Sequence, residues 1–451
     1  MRRTLVLFVH SSTFLNLIIY SEHITSRLEY ISKTLLGEKV VLTDSKENFL
    51  DHNGAKINYS YNHIDHEEFQ IKPHGLLFET EIKQQQINCF NWNGLKVFFK
   101  TNGDIPFDIF SAAFYLLTRY EEYLPHEKDE YGRYSHSNSL AYKENFLQQP
   151  LVNLWLKELE KVSGYKFQVT SFKYIPSYDI DIAFAYLHQP LLLNLYGFYR
   201  DLFVGNFEKF VERGNVYSGW KKDPFDIYDW LNDLHKEHKL NLSYFFLLAE
   251  KRKGVDKNIS PRKKAMQDLI KQTAAKNEIG IHPSWQSGEE SRWSGVESPE
   301  LKKEISVLQN IAQHSITKSR QHYLRFTIPQ TFRKLIEAGI TDEYSMGYGG
   351  INGFRASYTL PFYWFDLEKN ETANLLLHPF CFMDANSIFE QKYSAEQTAE
   401  ELQHYFDVVK SVNGELITLF HNHFLTEQTE WIVWRKMYEE FLEKNFSNFK
   451  Q

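Results

Sequence analysis

Two acids stand one residue apart in Pro176-Ser177-Tyr178-Asp179-Ile180-Asp181-Ile182, at the end of an aromatic, apolar run containing Phe172, Tyr174 and Ile175. In a strand, residues i and i+2 point to one face, so the spacing places two carboxylates side by side where a strand meets a loop. Like charges that close need a metal ion, a shared proton or a strong cationic partner. An isolated Asp-X-Asp reads first as an Asx turn with solvated acids. The residues downstream therefore decide.

Several later runs that read as strands end in groups of matching chemistry. Glu278-Ile279-Gly280-Ile281-His282-Pro283-Ser284-Trp285 ends in His282. Ser319–Phe326 offers Arg320 and His322, Leu375–Pro379 offers His378, and Leu416–His423 ends in His421 and His423. Each has a plain alternative: a histidine satisfied in its loop, or an arginine paired with a surface acid. Asp226 and Asp229 read as helix-start acids rather than site residues. The recurrence outweighs any single residue, because functional groups of a parallel α/β barrel collect at the carboxyl ends of its strands.

The elements that must position these groups follow from the apolar spacing. Strands are expected at Phe172–Tyr178, Leu242–Leu248, Ile279–His282, His322–Phe326, Tyr344–Gly347, Leu375–Pro379 and Leu416–Phe420. Helices are expected over Pro299–Gln313, Pro329–Ala338, Ala395–Val409 and about 427–443. Strand and helix alternate, as in a parallel sheet, open or closed into a barrel. Upstream, Leu5–Val9, Val40–Leu42 and Gly94–Phe99 read as strands, with a turn at Asn91–Gly94. Phe14–Leu35, Asp108–Tyr123 and Pro150–Leu159 read as helices, and His126–Asn138 as a polar loop. The division falls near residue 168, giving domains 1–168 and 169–451.

Composition narrows the function classes. With 451 residues, 42% hydrophobic and 24% charged, the chain is globular and long enough for two domains. Its net charge of −7, with both signs interspersed, argues against a nucleic-acid partner. No run is long and apolar enough for an integral membrane segment. The basic, apolar start stops at His10-Ser11-Ser12, short of a signal peptide, and reads as a buried first strand. Two distant cysteines, Cys89 and Cys381, form no disulfide framework. Together these features point to a cytoplasmic protein.

Tyr178-Asp179-Ile180-Asp181, Gly280-Ile281-His282-Pro283-Ser284 and Leu419-Phe420-His421 resemble, in order, three motifs of the NodB-homology polysaccharide deacetylases. The resemblance covers roughly residues 170 to 425. Ser319–Phe326 and Asp342–Ala356 are similar to a bacterial branch of that superfamily. In that branch a domain of unknown function precedes the deacetylase-like one, and residues 1–168, especially Phe107–Tyr134, are similar to it. The resemblance implies an α/β fold: a distorted (β/α) barrel preceded by a smaller α/β or α+β domain. It implies a metal-dependent hydrolase that removes an acetyl group from an N-acetylated carbohydrate, a surface-glycan precursor or polysaccharide. Carried over by position, Asp179 is the general base, Asp181 and His282 are metal ligands, and His421 is the general acid. The family's third motif, an Arg followed closely by Pro, is altered here; Arg320 is the candidate for it, with Arg325 next, and is expected to orient the base carboxylate through a bidentate contact. The implied cofactor is a divalent metal, zinc first, with cobalt or nickel as alternatives.

Two departures are informative. The family's first motif has adjacent acids, whereas Ile180 separates them here, which leaves open that Asp179 and Asp181 both face the metal or exchange roles. The second motif has two histidines four residues apart, and the matching position here is Gln286, a poor ligand. His322, from the neighbouring strand, is the expected replacement, completing an N2O2 set with two Asp. The lost histidine also supports a competing reading: an inactive barrel that binds a glycan or a partner protein.

Overall fold

The computed structural model describes residues 16–447 except 67, 168, 169, 251 and 288–298, so the strand expected at Leu5–Val9 lies outside the described residues. The chain forms two compact units. The first takes Met1–Glu81, Gln85–Tyr115 and Leu154–Val169; the second takes Ile82–Gln84, Leu116–Asn153 and Thr170–Gln451. Residues 116–153 thus belong with the second unit, although they precede residue 168.

In the first unit, β1 (Leu17–Tyr20), β2 (Val41–Thr43), β3 (Ala55–Asn58) and β4 (Phe69–Gln70) form a parallel sheet in the order β2-β1-β3-β4. The helix expected over Phe14–Leu35 is instead β1 followed by a helix at Ser26–Leu36. Buried Leu-Ile-Ile-Tyr favours the strand, and Thr25, whose hydroxyl accepts from Leu28 N, starts the helix. β5 (Phe90–Trp92) and β6 (Leu95–Val97) form a hairpin at the expected turn, with Asn93 and Gly94 both at positive φ.

The second unit has an α/β fold. Its strands are β7 (Lys173–Ile180), β8 (Ser243–Leu247), β9 (Glu278–His282), β10 (Lys318–Ser319), β11 (Asp342–Glu343), β12 (Phe362–Asp366), β13 (Glu371–Leu377), β14 (Phe382–Met383) and β15 (Glu415–His421). They form one sheet in the order β12-β13-β11-β10-β9-β8-β7-β15-β14, parallel throughout except for β12 on β13. The last long strand, β15, therefore pairs beside the first, β7. Both are almost wholly buried, as expected of parallel strands covered on both faces. Amphipathic helices at Lys264–Ala274, Pro299–Ala312, Gln330–Glu337, Ala395–Ser411 and Ile432–Phe446 lie between or after these strands.

Four further expected elements differ. No strand forms at His322–Phe326: β10 ends at Ser319, and a short 3-10 turn over His322–Leu324 follows, with Tyr323 and Leu324 at φ 58° and 52°. β11 occupies Asp342–Glu343, ahead of the expected Tyr344–Gly347. The strand expected at Leu375–Pro379 begins at Glu371, because β12, unforeseen, folds back on it as an antiparallel hairpin. The helix expected over Asp108–Tyr123 spans Ile109–Leu117; Arg119, at φ 54°, breaks it before a 3-10 turn at Tyr120–Tyr123. In the second unit, buried Glu122 receives both Arg119 Nε and Arg355 Nε at 2.8 Å, which ties this turn to the loop after β11.

Candidate metal centre

Neighbouring strand ends bring the site together. Asp179 lies near the end of β7, in register with His421 of β15 on one side and Phe245 of β8 on the other. Asp181 follows one residue past the strand. His282 is the last residue of β9, and Arg320 directly follows β10, its N–H bonded to Ile281 O at 3.0 Å. His322 stands on the turn beyond. Its display depends on the left-handed Tyr323 and Leu324, an uncommon conformation for side chains of this size.

Three imidazoles converge on Asp181. His282 Nε2 lies 3.2 Å from Asp181 Oδ1, while His322 Nε2 and His421 Nε2 lie 3.7 and 3.6 Å from Asp181 Oδ2. The other nitrogen of each ring is committed. His282 Nδ1 donates to Arg320 O at 2.6 Å, His322 Nδ1 to Asp256 Oδ1 at 3.0 Å, and His421 Nδ1 to Asp384 Oδ1 at 2.7 Å. Those oxygens accept, so each Nδ1 carries a proton, and in its neutral form each ring turns an Nε2 lone pair toward a carboxylate. Lone pairs facing a carboxylate require a cation between them, either a proton or a metal ion.

The donor set fits a metal. Asp181 Oδ1 is buried and accepts no hydrogen bond among the described residues. One donor atom each from Asp181, His282 and His322 lie mutually within 4.8 Å. Ligand atoms about 2.0–2.1 Å from a tetrahedral ion stand about 3.3 Å apart, close to the 3.2 and 3.7 Å seen here. A candidate divalent-metal cluster of one carboxylate and two imidazoles is thus present, and every histidine in it has its tautomer fixed from behind.

Protons compete for the same position. Burial pushes the Asp181 carboxyl up, but His322, followed by His282, outweighs it and holds the group well below the usual carboxylate range. Burial pushes His322 down, but the Asp181 charge, with help from Asp256, carries it up to about 9. His421 is likewise opposed by burial and carried up to about 9, chiefly by Asp384.

Arg320 is fully buried, with its guanidinium 4.3 Å from the Phe245 ring centroid. It donates from Nη1 to Asp179 Oδ1 at 3.0 Å and from Nε to Tyr344 O at 3.1 Å. The expected bidentate contact is therefore a single one: Nη1 alone reaches Asp179, and Nη2 makes no hydrogen bond among the described residues. Gly280 makes room for this packing: a Cβ there would stand 2.6 Å from the Phe245 ring.

A cavity of about 310 Å³ opens on Asp179, Asp181, His282, His322 and His421. Tyr131 and Arg133, from the segment expected as a polar loop, also line it. His423 lines it too, and burial, with the charge of His421, pushes that imidazole down to about 3. His378 lies elsewhere, bonded to Asp342 Oδ1 at 2.9 Å and stacked on Tyr344. Gln286 lines a different cavity, beside Ser284 and Glu304. Asp229 falls in the first turn of the helix Tyr228–Glu237, and Asp226 just before it.

Sequence reasoning missed Asp256 and Asp384. Asp384 follows the apolar run Phe380–Met383 and could have been found by the same strand-end rule. Asp256 sits in Gly254-Val255-Asp256-Lys257, away from any strand, and carries no such signal. It anchors the site twice, accepting from His322 Nδ1 and from Trp285 N, each at 3.0 Å.

Residues 17–168 match the model of a family described as "Family of unknown function (DUF7033)", in line with the N-terminal domain of unknown function that the sequence resembles. No curated protein matches. Among solved structures, a Mycobacterium smegmatis protein assigned as a polysaccharide deacetylase is 12% identical, covering 62% of this chain and 86% of its own, with a TM-score of 0.39. The PuuE allantoinase is 14% identical, over 61% and 84%, with a TM-score of 0.37. A polysaccharide deacetylase from Bacillus cereus is 11% identical, over 61% and 88%, with a TM-score of 0.30. Likenesses this distant decide nothing about the chemistry of the site, which rests on its own geometry. Among the described residues, no helix is long and apolar enough to cross a membrane.

Proposed function

We propose that this protein is a metal-dependent hydrolase that removes an acetyl group from an N-acetylated carbohydrate, a surface-glycan precursor met in the cytoplasm. In this reading residues 169–451 form a distorted (β/α) barrel whose sheet opens between β12 and β14, residues 116–153 belong with it, and the remainder of residues 1–168 forms a separate domain. The observation that carries the reading is the convergence of three Nε2 atoms on Asp181, each ring held by an acceptor behind it.

Asp181, His282 and His322 would hold the ion, and their mixed nitrogen and oxygen donors suit zinc. A bound divalent ion supplies Lewis-acid polarisation of the amide carbonyl and a water of lowered pKa. Asp179, anchored by Arg320, takes the proton of the attacking water. His421, whose protonated form Asp384 favours, gives a proton to the leaving amine. Aromatic rings of Tyr131, Tyr323 and Phe424 line the cavity, where a sugar face can stack on them.

The competing reading, an inactive barrel that binds a glycan or partner protein, drew on Gln286. His322 beside Asp181 weighs against that ground. Acetate release from N-acetylated amino-sugar oligomers separates the two. The metal-loaded wild type should release acetate, and Asp179→Asn should keep its metal but lose turnover. Metal-loaded protein that releases none from any such oligomer would leave binding as the better account.

A further inference from the structure

Asp384, whose carboxylate holds the His421 ring, directly follows β14, and two residues on a single π turn spans Asn386–Glu390. Single π turns recur at functional sites. Asn386 is fully buried and lines the same cavity as Asp181 and His421. Its Oδ1 is buried and accepts no hydrogen bond among the described residues. Buried polar groups of a folded protein are nearly all paired, so an acceptor left bare on a residue of the cavity wall calls for a partner.

The surrounding network decides which end of the Asn386 amide is bare. Met383 N–H donates to Asn352 Oδ1 at 2.9 Å, which fixes the oxygen of that side chain. The Asn352 nitrogen then donates to the Glu401 carboxylate at 2.8 Å and to Ser387 Oγ at 2.9 Å. Against the fixed Asn352 oxygen and the Tyr348 carbonyl only a donor fits. Asn386 Nδ2 stands 3.1 Å from the first and 2.9 Å from the second. Both of its N–H groups are thus used, and the bare atom is an oxygen. Ser387 Oγ and Gln391 Nε2 also donate to Glu401, at 2.9 and 2.7 Å, so the chain of amides is anchored on the helix Ala395–Ser411.

We propose that Asn386 is a specificity residue whose Oδ1 accepts the N–H of the substrate's acetamido group. The inference rests on the proposed deacetylation, because the nitrogen it engages is the one that leaves as the amine. Asn386 and the Asp384 that holds His421 are two residues apart, within about 7 Å along the chain. The acceptor thus belongs to the same short segment as the group that sets the proton donor for that nitrogen. A secondary amide has one N–H to give, whereas an acetyl ester has an oxygen in its place. The metal does not tell them apart, since a divalent ion polarises either carbonyl. Asn386 does: an ester leaves its buried oxygen unpaired, and sites built around a hydrogen bond strongly reject the analogue that lacks it. The cavity therefore selects N-acetyl over O-acetyl groups.

The test is the binding of two methyl glycosides to the full-length, metal-free protein, followed by NMR titration so that no turnover intervenes. One carries an N-acetyl group at C2 and the other an O-acetyl group in its place. Wild type should bind the amide at least about tenfold more tightly than the ester. Asn386→Leu should lose that preference while taking up zinc as wild type does. An N-methylated acetamide, which lacks the N–H, should bind wild type as poorly as the ester, and it keeps the test open if the variant misfolds. Wild type that binds amide and ester alike would overturn the proposal, because Oδ1 would then pair with a sugar hydroxyl or a water. So would a folded Asn386→Leu that keeps the preference. A preference that Asn386→Leu removes, in a protein that releases no acetate when loaded with metal, would support this contact and count against the deacetylation alone.

Discussion

His322 approaches Asp181 from a turn rather than from a strand, with its Nε2 3.7 Å from Asp181 Oδ2. Its other nitrogen donates to Asp256 at 3.0 Å. The position where the family motif has a second histidine holds Gln286, which faces another cavity. The second nitrogen donor thus comes from a different part of the chain, and it needs Asp256 to hold its tautomer.

Asp256→Asn should therefore weaken metal binding by about 10–100-fold, the usual cost of losing a carboxylate behind a ligating histidine. Zinc affinity measured by competition with a chelator checks this. Affinity equal to wild type would show that the Asp256 charge does not support the metal site.

Metal affinity should depend on pH in a defined direction. Without metal, His322 is carried up to about 9. Below that pH the ion must displace a proton, so affinity should rise by up to about tenfold per unit as pH climbs toward 9 and then level. Calorimetry in buffers of different ionisation enthalpy should register proton release on metal uptake at neutral pH.

The metal-free protein should show the opposite trend in stability. His322 and His421 both stand above the unfolded value near 6.5, each raised to about 9. Their contribution is complete below about pH 6.5 and is lost as pH rises through 9. Urea unfolding of metal-free protein should therefore give a lower midpoint at pH 9 than at pH 6. A midpoint that rises over that window would contradict the charges assigned to these two rings.

Asp384 acts on His421 and lies outside the metal cluster. Asp384→Asn should leave metal content unchanged and lower kcat by roughly 10²-fold or more, the scale of a lost general acid. A fall in metal content instead would make His421 a ligand.

Gly280→Ala should destabilise the fold by about 1–3 kcal/mol, because its methyl meets both the Phe245 ring and the Lys318 carbonyl. It should also lower activity by displacing the ring on which Arg320 rests. Thermal unfolding and turnover, measured together, check both effects.

Much of this site was legible because strand ends carry chemistry. The strands ending near Asp179, His282 and His421 are long, apolar and bounded by polar residues, so their positions follow from pattern alone. Those near Arg320 and Glu343 are two residues long and leave almost no periodic signal. His322 was found for its residue type, while its strand was not real. Asp256 was invisible because its role depends on a contact 66 residues distant, and sequence spacing says nothing about that. The helix Leu191–Phe203 escaped notice for a different reason: its apolar stripe reads as an ordinary core helix until its exposure is known.

The central claim is that Asp181, His282 and His322 share one metal ion. Elemental analysis of purified protein reloaded with zinc tests it most directly. The expected result is about one ion per wild-type chain and little or none in Asp181→Ala and His322→Ala. Wild type that takes up no zinc, cobalt or nickel would contradict it, as would metal content unchanged in both variants.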